Sequence, residues 1–225
     1  MTTPTICEDR FRIKFPSSIL VVGPSNCGKT TFMKKLLLEN LDLFEVAPTK
    51  IVYCYGSWQP AFDLLKKHGV EFHEGVPDLE FLEKKFGGKQ EKGGILIMDD
   101  LMSEGGDDKT VLNIFTQHSH HMGFVAFYLC QDMFPKGKYC TTISRNAQYI
   151  IAFKNPRDSS ALRAVLLQMY PTEWRNVMAT INKASEKMYG YFIFDLHPRT
   201  RNRDRLLSHL LKDEGCIHMY RKPET

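Results

Sequence analysis

The sequence predicts an α/β fold, a mainly parallel central sheet flanked by helices, and three observations carry that expectation. Short apolar runs at Ile19 to Val22, Ile51 to Tyr55, Ile95 to Met98, Gly123 to Cys130, Gln148 to Phe153 and Tyr189 to Phe194 alternate with stretches of helical period. The first run leads directly into Gly23-Pro24-Ser25-Asn26-Cys27-Gly28-Lys29-Thr30, which is followed by the helix-forming Thr31 to Leu38. The third run ends in a pair of acids, Asp99 and Asp100.

The stretch from Gly23 to Thr31 reads as a phosphate-binding loop, because Gly, four free positions and Gly-Lys-Thr stand between an apolar strand and a helix. Gly23 and Gly28 let the backbone turn tightly and approach a polyphosphate, so that successive N–H groups, including those of Pro24's neighbours Ser25, Asn26 and Cys27, face one concavity. The helix that begins near Lys29 adds the positive end of its dipole. Lys29 would reach the β- and γ-phosphates, Thr30 would offer its hydroxyl to Mg²⁺, and Thr31 closes the set. The bland alternative is a glycine-rich turn that happens to precede Lys-Thr.

Length and composition frame this site. At 225 residues the chain suits a single domain over 1–225 with a substantial core, and 43% hydrophobic with 25% charged residues is ordinary for a globular protein. No apolar run approaches a membrane span, and Met1 to Arg12 lacks the apolar core of a secretory leader, so an intracellular, non-secreted protein is expected. Cys7, Cys27, Cys54, Cys130, Cys140 and Cys216 are scattered without Cys-x-x-Cys spacing, which suits a reducing interior and argues against a zinc site. A net charge of +4 permits nucleic-acid contact without demonstrating it.

Along the chain, Phe11, Ile13 and Phe15 alternate with Arg12 and Lys14 and predict an edge strand that stops at Pro16. Helices are expected near Pro60 to His68, Leu79 to Phe86, Lys109 to His120, Tyr139 to Arg145, Ser159 to Met169 and Thr172 to Asn182, with a short strand at Val70 to Phe72. His118, His120 and His121 gather at a helix end, where they suit exposed carbonyls better than a metal. Beyond Pro198, the alternating Arg199, Arg201, Arg203 and Arg205 precede a helix-like Leu206 to Leu211. This run has two readings, contact with a nucleic-acid backbone or a flexible basic tail from about residue 198. Lys89 and Lys92, in a glycine-rich loop, are further candidates for DNA contact.

The acids give the loop a reaction. A strand that ends in two carboxylates offers one, Asp99, to hold Mg²⁺ through its water shell and a second, Asp100, to orient and deprotonate an attacking water. Gln131, at the carboxyl end of the next buried strand, would face the γ-phosphate and report its presence. Arg145 and Arg157 bracket the following strand, and either suits an arginine finger inserted into a neighbouring subunit's site, Arg145 being favoured; local pairing, as of Arg157 with Asp158, is the alternative. A kinase has no need of a water-orienting acid, and Asn182-Lys183-Ala184-Ser185 lacks the final acid of a guanine-reading element, so an ATPase motor remains. Two strands between the loop and the acids also leave room for an inserted central strand.

Taken together, Gly23 to Thr31, Ile95 to Leu101, Gln131, Ser144 to Ala147 and Phe153 to Asp158 resemble the viral genome-packaging ATPases of the poxvirus type, within the FtsK–HerA superfamily of P-loop NTPases. The resemblance spans nearly the whole chain. It implies a RecA-like fold of the additional-strand class that hydrolyses ATP with Mg²⁺ as a homo-oligomeric ring, pentamer or hexamer, and pumps double-stranded DNA into a capsid. It implies a capsid vertex or portal protein as a partner and a place in host cytoplasm or nucleus or on the virion. By position it assigns Lys29 and Thr30 to nucleotide and metal, Asp99 and Asp100 to the acidic pair, Gln131 to the sensor and an arginine near Arg145 to a role in trans. The chain departs from the pattern in having Asp100 where cellular relatives usually have Glu, and in lacking a nuclease or DNA-guiding region. A nucleic-acid-remodelling ATPase such as a helicase, or a non-hydrolysing nucleotide-dependent scaffold, remains the competing class.

Overall fold

A computed structural model describes residues 4–6, 11–88, 93–101, 109–134, 137–157 and 159–221, with the backbone alone for 4–6. The strands are β1 (Pro4–Ile6), β2 (Ser17–Val22), β3 (Lys50–Tyr55), β4 (Glu71–Glu74), β5 (Gly94–Asp99), β6 (Phe124–Cys130), β7 (Tyr149–Phe153), β8 (Tyr191–Asp195), β9 (Leu206–Ser208) and β10 (His218–Tyr220). They form one sheet in the order β1-β10-β9-β8-β7-β2-β6-β5-β3-β4. From β7 to β4 every pairing is parallel, and from β7 out to β1 every pairing is antiparallel.

The parallel strands follow from their sequences. β2, β5, β6 and β7 are buried along their whole length, as strands covered on both faces must be, and they are therefore near-continuous apolar runs. Alternate residues serve opposite faces. Ile19, Val21, Ile95, Ile97, Val125 and Phe127 pack with Phe32, Met33, Leu36 and Leu37 of the helix Lys29–Glu39. On the other face, Leu20, Val22, Leu96, Met98, Ala126 and Tyr128 meet the helices Leu79–Phe86, Cys140–Asn146, Ser159–Met169 and Trp174–Ala184. Each fully buried Val, Leu, Ile, Phe or Met among them contributes about 1.5–3 kcal/mol. Residues 109–122 also cover this face, helical over Lys109–Asn113, π-helical over Ile114–His118 and helical again over Ser119–Met122.

Strand register brings the carboxyl ends into line. Tyr55 stands opposite Asp99, Asp99 opposite Leu129, and Val22 opposite both Cys130 and Ala152. The residues that follow, Gly56, Asp100, Gln131 and Gly23, thus emerge side by side. The inserted central strand comes from a different part of the chain than expected: β6, which follows the acids, separates β2 from β5, while β3 and β4 lie outside β5.

Several expectations are corrected. Phe11 to Phe15 is not an edge strand; Ile13 makes an isolated bridge to Phe44, and Phe11 packs edge-on against Tyr149 with ring centroids 6.1 Å apart. The alternation is real, with Phe11 and Ile13 buried and Arg12 exposed, but it serves burial and not a ladder. Leu206 to Leu211 is not helical: β9 takes Leu206–Ser208, with Leu206 and Leu207 buried on opposite faces, before His209 turns the chain at φ 58°. After Pro198 the chain packs back on the domain. Arg199 forms a forked pair with Glu45 at 3.2 and 2.8 Å, Arg205 donates to the carbonyls of Asp195 and Thr200 at 2.9 and 3.0 Å, and β9 and β10 extend the sheet. The strand expected from Tyr189 begins at Tyr191. Lys89, Lys92 and Asp158 lie outside the described residues. Among the described residues no helix is long and apolar enough to cross a membrane.

Candidate nucleotide site

The loop is shaped by what its glycines exclude. A Cβ on Gly23 would lie 2.6 Å from Cys27 Sγ and 2.7 Å from Phe153 Cβ, so the turn closes only around a bare backbone. Gly28 has φ 105° and Asn26 φ 63°, left-handed conformations that glycine and asparagine tolerate best. Gly28 O then accepts from Phe32 N at 2.8 Å as the first turn of the helix Lys29–Glu39. The loop is also tied to the inserted strand, with Gly23 N donating to Cys130 O at 3.2 Å.

Lys29 Nζ donates to the carbonyls of Gly23 and, at 3.1 Å, Pro24, which holds an ammonium inside the loop. Burial is the main influence on Cys27 and raises its thiol pKa, with Lys29 nearby opposing it, so this cysteine stays in the poorly nucleophilic thiol form.

Asp99 is 5% exposed, and its Oδ2 accepts from the Tyr53 hydroxyl at 2.7 Å. Burial pushes its pKa up, opposed by the Tyr53 bond and by the Lys29 charge, while the charge of Asp100 adds to the rise and the Asp100 backbone N–H opposes it. Asp100 adopts φ 57° and turns out into the cleft. Gly56 makes room for that reversal: its N–H bonds Asp99 O at 3.1 Å, and a Cβ there would lie 2.4 Å from Asp100 O.

These parts surround one cleft of about 610 Å³. Of the residues expected from the sequence, Ser25, Asn26, Gly28, Lys29, Thr30, Thr31, Asp99, Asp100 and Gln131 line it. Gly23, Pro24 and Cys27 form the back of the loop and do not. Arg145 and Arg157 are exposed and outside the cleft. Arg145 stands near the amino edge of the sheet, in a helix whose chain continues to Gln148, bonded to Ser18 at the start of β2. Arg157 follows β7 at the carboxyl edge, where its N–H bonds Asn155 Oδ1 at 3.0 Å.

Sequence reasoning missed Lys34, Gln59, Ala61 and Tyr189 in the lining and Tyr53 behind Asp99. Lys34 lies one helical turn beyond Thr30, and Gln59 follows a parallel strand's carboxyl end, so periodicity and the edge rule point to both. Tyr53 carries no signal until β3 is known to neighbour β5.

No family model matches this chain, and no curated protein matches it. Solved structures do. The genome packaging NTPase B204 from Sulfolobus turreted icosahedral virus 2, in complex with ATP-gammaS, matches over 82% of this chain and 95% of its own at 17% identity and a TM-score of 0.51. The same protein in complex with sulfate matches over 93% of this chain and 98% of its own at 16% identity and a TM-score of 0.51. The fold is that of a P-loop NTPase. At this identity the likeness concerns fold, with a mainly parallel sheet between helix layers.

Proposed function

We propose that the protein is a magnesium-dependent ATPase that works as an oligomeric ring to move double-stranded DNA into a capsid. One observation carries the hydrolase reading: the glycine-shaped loop with Lys29 and Thr30, the acids Asp99 and Asp100, and Gln131 all line a single cleft. The residues fit the groups they would hold. Backbone N–H groups and Lys29 suit a polyphosphate, and the Thr30 hydroxyl with the Asp99 carboxylate makes a hard oxygen set of the kind Mg²⁺ takes. Bound there, Mg²⁺ would supply charge neutralisation at the phosphate oxygens.

The chain's own groups divide the work. Lys29 exchanges its bonds to Gly23 and Pro24 for phosphate oxygens. Tyr53 orients Asp99 toward the cation. Asp100, turned outward by its left-handed backbone, orients the attacking water and accepts its proton, and Gln131, on the strand between loop and acids, faces the γ-phosphate and senses its presence. Arg145 and Arg157 both lie outside their own cleft, as a finger acting in trans must.

The DNA-moving part of the proposal draws on the sequence resemblance and on the like-folded B204, which is a genome packaging NTPase. ATP turnover by the purified protein, measured with and without duplex DNA, tests both parts. Hydrolysis stimulated by duplex is expected. Absence of hydrolysis in both conditions would reject the ATPase, and unstimulated hydrolysis would reject the motor. Mixed assemblies containing Arg145→Ala or Arg157→Ala subunits identify the finger, which should lower turnover by more than its share of subunits.

A further inference from the structure

We propose that Tyr189 is the platform on which the base of the bound nucleotide stacks. The inference rests on the nucleotide reading of the cleft and adds the residue that meets the base. Sheet order sets the direction: β2 and its loop have β6 and β5, bearing Gln131, Asp99 and Asp100, on one side and β7 and β8 on the other. A nucleotide lying across the loop with its terminal phosphate toward the acids therefore extends its nucleoside toward β7 and β8.

Tyr189 stands there, in the turn that enters β8. Among the described residues it is the only aromatic side chain lining the cleft, and it is 62% exposed. It sits over the end of the loop, since a Cβ on Gly28 would lie 3.3 Å from both Cβ and Cδ1 of Tyr189. A recess of about 190 Å³, bordered by Ala184, Lys187, His209 and Glu214, opens beside the same residue. An open ring next to a phosphate cradle is a stacking surface of the kind that bases use.

The backbone shows that this placement is imposed. Tyr189 has φ 61°, uncommon for a bulky residue. The turn is closed by Gly190 N to Lys187 O at 2.9 Å and Lys154 N to Gly190 O at 3.1 Å, and a Cβ on Gly190 would lie 2.7 Å from Ser185 O. The left-handed step at Tyr189 comes two residues before β8 and leaves the ring beside the loop.

Calorimetric titration of the full chain with Mg-ATP and with Mg-tripolyphosphate, which has no base, tests the platform in wild type, Tyr189→Phe and Tyr189→Asn. Asn removes the ring yet suits a left-handed backbone, so the turn is retained. Tyr189→Asn should weaken ATP binding on the order of tenfold while leaving tripolyphosphate binding unchanged, and Tyr189→Phe should keep both. Unchanged ATP affinity in Tyr189→Asn, or equal loss of both ligands, would overturn the platform alone. If wild type bound neither ligand, the nucleotide reading itself would fall, and the platform with it.

Discussion

Between β7 and β4 the strands run parallel and end together, and apart from Tyr189 the cleft lining comes from their carboxyl ends and from the loop helix. From β8 to β1 direction alternates, and the buried carboxylate there is satisfied from within the protein. Buried Asp195 accepts from Lys14 Nζ at 3.3 Å, Thr200 Oγ1 at 2.8 Å and His197 N at 3.0 Å, while Arg221 pairs with Asp204 at 2.6 Å. Parallel strands leave backbone ends and polar residues converging on one edge, where a ligand can satisfy them. Antiparallel strands return the chain locally, so their polar groups find partners within the protein. The first arrangement suits chemistry and the second suits support, with Tyr189 at the junction.

Substitutions should separate the two halves. Asp100→Asn is expected to lower ATP turnover by about 10²–10⁴-fold, the usual contribution of a positioned general base, with ATP affinity retained. Single-turnover assays beside binding titrations check this, and full turnover in the variant would remove Asp100 from the chemistry. In the antiparallel half, Asp195→Ala removes the carboxylate that faces Lys14, whose side chain is only 20% exposed and then keeps only the Thr200 hydroxyl at 2.7 Å, and should cost about 3 kcal/mol in denaturant unfolding while leaving ATP affinity unchanged. A comparable loss of affinity would mean that the halves are not separable.

Tyr53→Phe tests the bond that holds Asp99. Outer groups of this kind commonly alter metal affinity by 10–100-fold, and a rise of about tenfold in the magnesium needed for half-maximal turnover is expected. The smallest effect belongs to Glu45→Gln. Its partner Arg199 is 53% exposed, so screening keeps the pair below about 1 kcal/mol. Arg199 lowers the Glu45 pKa, so the pair's contribution is full above the ordinary carboxylate value and is lost as pH falls through the lower folded value. Thermal unfolding of wild type and variant should therefore differ slightly at pH 7 and converge once the pH has fallen below the lowered folded value of Glu45.

The parallel half was legible because its signals are local. A strand, a glycine-bounded turn and a helix are contiguous in the chain, and Asp99, Asp100 and Gln131 are each read from the strand that ends there. What escaped depends on spatial neighbours. Tyr53 matters only because β3 lies beside β5, and the inserted strand could be identified only from the order of the sheet. The antiparallel half misled for a related reason. Leu206, Leu207, Leu210 and Leu211 have helical spacing, but the left-handed backbone at His209 divides them into a strand and a turn. Arg199 looked like part of a solvated run because its partner is remote, Glu45 lying 154 positions away.

The central claim is that the loop and the acids together hold a magnesium nucleotide, and titration of ATP into wild type and Lys29→Ala, with and without Mg²⁺, addresses it most directly. Wild type should bind saturably, more tightly with Mg²⁺, and Lys29→Ala should lose that affinity while keeping its fold by circular dichroism. ATP binding indifferent to both Mg²⁺ and the Lys29 side chain would contradict the account.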